Sequence, residues 1–271
     1  MTLEKDLSAA LEAAARAGEL IRREYESFEV IPDAPASIST HVDRASQELI
    51  LGFLRDRFPA DGLCAEEATA TLAAARHTGT RVWVVDPIDG TRGFARKTGQ
   101  FSVMIGLLLD GRPVLGVVLE PGPNRVTYAW EGGGCWRRVG NGEPSRCRVS
   151  GRAVLAECVL VQSWTKPGRE SRPVAAIRPA RVIETYSGGV KLATVARGEA
   201  DVYANTYEAF ADWDVCAGHI LVTEAGGRVT DLSGGPMAYQ APDFSQRRGL
   251  LATNGLLHDE VLKRLSAAPG G

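Results

Sequence analysis

The sequence predicts a two-part chain of α+β and α/β class, on three observations. Four apolar, β-branched segments at 102–109, 113–120, 125–130 and 135–139 are separated by Asp110-Gly111, Pro121-Gly-Pro123 and Glu131-Gly-Gly-Gly134, the pattern of an antiparallel meander. Two helical periodicities precede it. Beyond about Gly151, strand and helix patterns take turns, which implies an α/β layer. A chain of 271 residues is ample for a sizeable core, and the expected division is 1–151 as an α+β half and 152–271 as an α/β half.

Taken in order, Leu3, Leu7, Leu11, Ala14, Gly18, Ile21 and Tyr25 recur at three- and four-residue steps and lay one apolar stripe along a first helix. Residues 27–39 read as a loop around Pro32 and Pro35. A second helix buries Leu49, Ile50, Phe53, Leu54 and Phe58 and ends at Pro59, with Asp43 at its start. Gly62-Leu-Cys-Ala65 then passes into Glu66 and Glu67, and Trp83-Val-Val-Asp-Pro-Ile-Asp-Gly-Thr91 is a buried strand that ends in a polar turn. In the second half, strands are expected at 154–162, 181–185, 201–204, 228–232 and 248–253, with helices at 187–197, 213–225 and 256–265 and a frayed end at 267–271.

A formal net charge of −2 leaves no electrostatic footprint for a nucleic acid polymer. Cys64, Cys135, Cys147, Cys158 and Cys216 are scattered, odd in number and free of Cys-x-x-Cys spacing, which suits reduced thiols rather than a disulfide framework or a zinc site. The N-terminus is acidic and amphipathic, unlike a signal peptide, and no run approaches the length of a membrane span. A soluble cytoplasmic protein with no membrane partner is expected.

The chemistry concentrates in the stretch Trp83 to Thr91. Asp86 and Asp89 flank Pro87 and Ile88, and Pro87 fixes its own φ while biasing Asp86 toward an extended conformation. Two carboxylates held close repel each other unless a cation lies between them, and all-oxygen ligands suit a hard ion such as Mg²⁺. Gly90 lets the backbone approach a ligand, and Thr91 brings a hydroxyl to a helix start whose free N–H groups suit an anion. Carboxylates, metal and anion-binding amides together suggest a phosphoryl group. Taken alone, Asp-Pro-Ile-Asp-Gly also reads as a plain turn.

Over these residues the sequence resembles the inositol monophosphatase superfamily of Mg²⁺-dependent, lithium-sensitive phosphomonoesterases, whose signature is Trp-Val-Val/Ile-Asp-Pro-Ile/Leu-Asp-Gly-Thr. Cys64-Ala-Glu-Glu-Ala-Thr69 is similar to that family's Gly-Glu-Glu-Ser/Thr metal segment, with Ala65 in place of the glycine. Trp213-Asp-Val-Cys-Ala-Gly-His-Ile-Leu-Val-Thr-Glu-Ala-Gly-Gly227 is similar to its second signature, and the match runs in order over about 7–262. The resemblance implies a layered αβαβα sandwich of the sugar-phosphatase type, hydrolysis of a small phosphate ester, two or three Mg²⁺ per site and a homodimer.

The same resemblance distributes the roles. Asp43, which on its own reads as a first-turn or capping acid, would form with Thr91 the dyad that orients the attacking water. Glu66 and Glu67, which alone read as solvated loop acids, would be a metal ligand that also serves catalysis and its supporting acid. Glu66, Asp86 and the carbonyl of Ile88 would hold one Mg²⁺, and Asp86, Asp89 and Asp214 a second, with Asp86 bridging. Asp214 also reads as the N-cap of its helix. Gly90 and Thr91 amides would grip the phosphate, so most metal ligands fall in 1–151 while Asp214 and the specificity residues fall in 152–271. Relatives often carry a lysine in the loop before the residue matching Asp43, and 27–42 contains none. His219 and His258 read as packing or surface residues.

For the substrate, Arg92, Phe94, Gly99 and Phe101 fit the 3′(2′),5′-bisphosphate nucleotidase form, as does Ser187-Gly-Gly-Val-Lys191, where Ser187 and Lys191 would bind substrate. An extra cation suits a second phosphate. Residues 250–258 read instead like an inositol phosphatase, and 206–212 match neither. Inositol 1-phosphate and fructose 1,6-bisphosphate therefore stay as alternatives. Histidinol phosphate fits less well, because Trp213-Asp214 keeps the general form, and a catalytically silent phosphate-binding regulator is disfavoured because Glu66, Asp86, Asp89, Thr91 and Asp214 are all present.

Overall fold

The computed structural model describes residues 3–166, 168–207 and 210–267. Helices α1 (Glu4–Ser27) and α2 (His41–Arg57) come first, then strand β1 (Gly62–Ala65), a short α3 (Ala70–Ala73), β2 (Arg81–Asp89) and the five-residue α4 (Thr91–Ala95). The meander is β3 (Ser102–Leu109), β4 (Arg112–Glu120), β5 (Arg125–Trp130), β6 (Gly134–Val139) and β7 (Ser145–Cys147). The rest of the chain is β8 (Val159–Gln162), α5 (Arg172–Ile177), β9 (Arg181–Glu184), α6 (Gly188–Ala196), β10 (Val202–Asn205), β11 (Phe210–Ala211), α7 (Asp212–Glu224), β12 (Arg228–Thr230), β13 (Ser245–Gln246), β14 (Leu250–Thr253) and α8 (His258–Ala267).

β1 to β7 form one sheet in chain order, parallel between β1 and β2 and antiparallel thereafter. The second sheet runs β12-β14-β10-β8-β9, and β11 pairs β13 apart from both. Alternation along β3 decides which layer each face meets. Val103, Ile105 and Leu107 pack on α1 and α2, whereas Met104 joins Leu192, Val195 and Ile220 of α6 and α7 on the other face. Across α6 and α7 the same cluster takes in Val161, Tyr203 and Ala252 of the second sheet, and that sheet's far face is closed by α5 and α8 through Ile177, Val261 and Leu265. Helices, sheet, helices, sheet, helices: the αβαβα sandwich that the resemblance implies is the architecture found.

Two contacts decide how closely the layers approach. Ala14, Gly18 and Ile21 of the expected stripe are buried on α1, joined there by Ala10, Ala13 and Ala17, whereas Leu3, Leu7 and Leu11 pack only at the margin. Gly106 and Gly116 face each other across β3 and β4. A Cβ on Gly116 would lie 2.2 Å from the carbonyl of Ala217, and one on Gly106 2.6 Å from Cys216 Sγ, so α7 rests directly on the sheet backbone.

Several local expectations are corrected. The strand expected at 154–162 begins only at Val159, because Leu155–Glu157 is a 3₁₀ turn. Asp214 is not the N-cap of α7: the helix starts two residues earlier, Ala211 is the cap, and Asp214 sits at the third helical position, where its Oδ2 accepts the Ala211 N–H at 2.6 Å. Asp86 to Asp89 do not form a turn after β2 but its last residues. The frayed end expected at 267–271 lies outside the described residues from 268 onward.

Candidate active site

β2 carries the acids to one place by breaking its own rule. Asp86 and Asp89 are three residues apart and would face opposite sides of a regular strand. Asp86 pairs with Met104 and Asp89 with Ser102, so three steps on β2 match two on β3, and the extra residue is a bulge at Pro87-Ile88. Proline fits there because a bulge frees it from donating to the ladder. Both carboxylates therefore turn to the same side, where Asp214 meets them from the start of α7; their oxygens lie within 4.8 Å of one another.

Around this triad the other acids are held by specific partners. Gly90, at φ +84°, leads into α4 and leaves room for no side chain, since a Cβ there would meet Gln100 O and Ser187 N at 3.0 Å. Thr91 Oγ1 is 2.8 Å from both Asp43 Oδ1 and the carbonyl of Ile88. Asp43 is the third residue of α2, and its Oδ2 takes the Thr40 N–H at 2.9 Å in a capping box. Asp89 points at the start of α6: its Oδ1 accepts Gly188 N–H at 3.0 Å and its Oδ2 accepts Gly189 N–H at 2.7 Å and Ser102 Oγ at 3.2 Å. Glu67 accepts Ser39 Oγ at 2.6 Å and its N–H donates to Gln47 Oε1 at 2.8 Å, which ties the loop before α2 to the acidic segment.

Ser187 and Lys191 are both buried on α6, and of the two Lys191 lines the cavity described below. The Ser187 hydroxyl is fully buried, donates to Asp89 Oδ2 and accepts Val190 N–H at 2.9 Å, so it steadies Asp89 and caps α6 instead of facing a substrate. Lys191 Nζ is also buried, donating to Ser163 Oγ at 2.9 Å and Tyr186 O at 3.2 Å and lying 5.4 Å from the Tyr203 ring centroid. Burial pushes its pKa down to about 8, against the attraction of Asp89 and Asp214.

The acids fit a cation. Asp86 Oδ1 is buried without a hydrogen-bond partner among the described residues, and burial followed by repulsion from Glu66, Asp89, Asp214 and Asp43 holds its carboxyl well above the usual range. Asp214 is pushed up to about 7, chiefly by burial and then by Asp89. Glu66 is exposed as a whole residue, yet lost hydration and then Asp214, Glu67, Asp43 and Asp89 push its carboxyl up to about 8. Three carboxyls that resist ionising together, one with an orphaned oxygen, are what a hard cation would relieve.

Beside the triad opens a cavity of about 520 Å³, with Asp89 and Asp214 in its lining. Arg92, Lys166, Arg169, Arg172 and Lys191 line it, as do Trp164, Tyr186, Tyr203 and Tyr207. Apart from Arg92 and Lys191 this wall carries no motif, and sequence reasoning missed it. Thr40, three residues before Asp43, could have been found from its capping-box spacing.

The family model described as the inositol monophosphatase family matches residues 2–269. The chain belongs to the inositol monophosphatase family. It is therefore a phosphoric monoester hydrolase acting on small phosphate esters. It is 36% identical to a histidinol-phosphatase of Mycobacterium tuberculosis, over 97% of this chain and 98% of that one. It is 37% identical to a fructose-1,6-bisphosphatase/inositol-1-monophosphatase of Thermotoga maritima, over 83% of this chain and 81% of that one. Among solved structures, an inositol monophosphatase from Anabaena superposes with a TM-score of 0.81 at 29% identity, covering 99% of this chain and 98% of that one. Among the described residues no helix is long and apolar enough to cross a membrane.

Proposed function

We propose that this phosphatase is Mg²⁺-dependent and hydrolyses a small monoester that bears a second anionic group, with a 3′(2′),5′-bisphosphate nucleotide such as 3′-phosphoadenosine 5′-phosphate as its preferred substrate. The observation that supports this is the cavity wall. Leaving aside Asp89 and Asp214, which a cation would neutralise, five basic side chains face one acid, Glu170. A second phosphate would meet that wall favourably, and a neutral polyol would gain nothing from it.

Glu66, Asp86, the Ile88 carbonyl, Asp89 and Asp214 would hold two or three Mg²⁺ ions between them. When bound, the metal supplies Lewis acidity that lowers the pKa of a water and offsets phosphate charge. Thr91, hydrogen-bonded to Asp43, would orient the attacking water, and Asp43 would take its proton, a task that a carboxyl held above its usual range by burial suits. Gly90 and Thr91 amides would bind the phosphate. Ser187 and Ser102, with the first amides of α6, fix the direction of Asp89, and Glu67 anchors the Glu66 segment to the loop through Ser39. Lithium sensitivity, a homodimer and a cytoplasmic location belong to the same proposal, as do the two halves 1–151 and 152–271.

A second reading, histidinol phosphate, is favoured by the full-length relative of that name and by Glu170, an acid on the cavity wall able to meet an ammonium. Phosphate release from 3′-phosphoadenosine 5′-phosphate, histidinol phosphate, inositol 1-phosphate and fructose 1,6-bisphosphate, each with Mg²⁺ and an Asp89→Asn control, separates them. A tenfold lead in kcat/KM for the nucleotide is the expected result. Preference for any of the other three overturns the nucleotide assignment, and turnover independent of Asp89 overturns the site.

A further inference from the structure

We infer that Trp164 and Tyr207, backed by Tyr186, seat a flat heteroaromatic ring carried by the leaving group, an inference that rests on the phosphatase site proposed above. Of seven Phe, six Tyr and five Trp in the chain, only Trp164 (50% exposed) and Tyr207 (68% exposed) are exposed among the described residues. Both line the cavity that Asp89 and Asp214 also line. Leaving two aromatic faces in water forgoes their burial, so their coincidence at one cavity calls for a ligand that covers them.

Trp164 is also fixed in place. Its Nε1 donates to Gln100 Oε1 at 2.7 Å, and its ring lies 6.3 Å from that of Tyr186. Tyr186 is itself clamped, with the guanidinium carbons of Arg92 and Arg96 at 5.8 and 5.9 Å from its centroid and its hydroxyl accepting Arg96 Nη1 at 2.9 Å. An aromatic surface ordered before binding costs little entropy when a ring stacks on it, and stacking distinguishes a heterocycle from a cyclitol or a sugar. Adenine and imidazole share this chemistry.

The test compares Trp164→Ala and Tyr207→Ala with Trp164→Phe. For the ring-bearing substrate that the wild type prefers, KM should rise about tenfold or more in each alanine variant with kcat nearly unchanged, and Trp164→Phe should restore it. KM for inositol 1-phosphate should not move. Equal losses on both substrates, or none on either, overturn the inference. Binding reads the same seat without turnover: with Mg²⁺ present, adenosine 5′-monophosphate or L-histidinol should quench tryptophan fluorescence in the wild type but not in Trp164→Phe, and the stronger quencher identifies the ring. Quenching without hydrolysis of any substrate would sink the proposed function but leave the seat standing; no quenching by either compound would sink the seat.

Discussion

Thr91 Oγ1 has one proton to give and two oxygens in reach, Asp43 Oδ1 and the carbonyl of Ile88. Whichever it serves, its lone pairs stay directed by two fixed neighbours, which is what orienting a water requires. Thr91→Ala should lower kcat about 100-fold or more while the protein still gains thermal stability from Mg²⁺, because the carboxylates that would hold the ion are untouched. Activity within threefold of the wild type would remove Thr91 from the chemistry. Asp86 makes the opposite case. Its Oδ1 has no partner among the described residues, and burial first and then four other acids raise its pKa, so Asp86→Asn removes a carboxyl that is costly to ionise there and supplies an amide to the neighbouring carboxylates. The metal-free variant should melt about 2–4 °C higher than the metal-free wild type while losing activity and the Mg²⁺ effect, a trade of function for stability. A lower melting temperature would mean that Asp86 is paired in solution.

At the scale of elements, the position of Asp214 depends on how α7 lies on β3 and β4. Gly116→Ala would set a methyl 2.2 Å from Ala217 O and 2.6 Å from Ile220 Cγ2, and the backbone cannot yield without lifting the helix. The expected cost is about 1–3 kcal/mol, or roughly 2–10 °C in melting temperature, together with weaker Mg²⁺ binding because Asp214 moves with its helix. Loss of stability with unchanged metal affinity would show that the helix start stays put. This contact also marks the limit of what the sequence reveals. The meander, the long helices and the acids around β2 were legible because periodicity and motif are local. Gly106 and Gly116 carry no signal of their own in the sequence, and only the register that sets them opposite each other under α7 gives them meaning. The same holds for β7, β11, β13 and the short α5, whose partners are distant in sequence, and for Trp164 and Tyr207, whose exposure no pattern announces. Ser187 was read from a motif toward the substrate, yet its hydroxyl goes to Asp89, because a helix cap and an adjacent buried carboxylate compete for it first.

The whole molecule stores the cost of this site in its layers. Helices α6 and α7 lie between two sheets, and their N-terminal ends converge on carboxyls that burial would rather keep neutral. The sign of the resulting pH dependence follows from the protons. Glu66 moves from an ordinary 4.5 to about 8 and Asp214 from 3.8 to about 7, so in that window the folded, metal-free protein keeps protons that the unfolded chain has released. Stability must then fall as pH rises through the window, since folding at higher pH forces these groups either to bind protons or to ionise in company. A cation reverses the balance by favouring the ionised form of the same groups. Melting temperature measured after chelation should therefore drop between about pH 5 and about pH 8, and Mg²⁺ at about a hundred times its dissociation constant should restore roughly 5–10 °C at the upper end but far less at the lower. A chelated protein whose melting temperature holds or climbs over that range would mean that the carboxyls already ionise freely inside the fold, and the crevice would then need no metal to be stable.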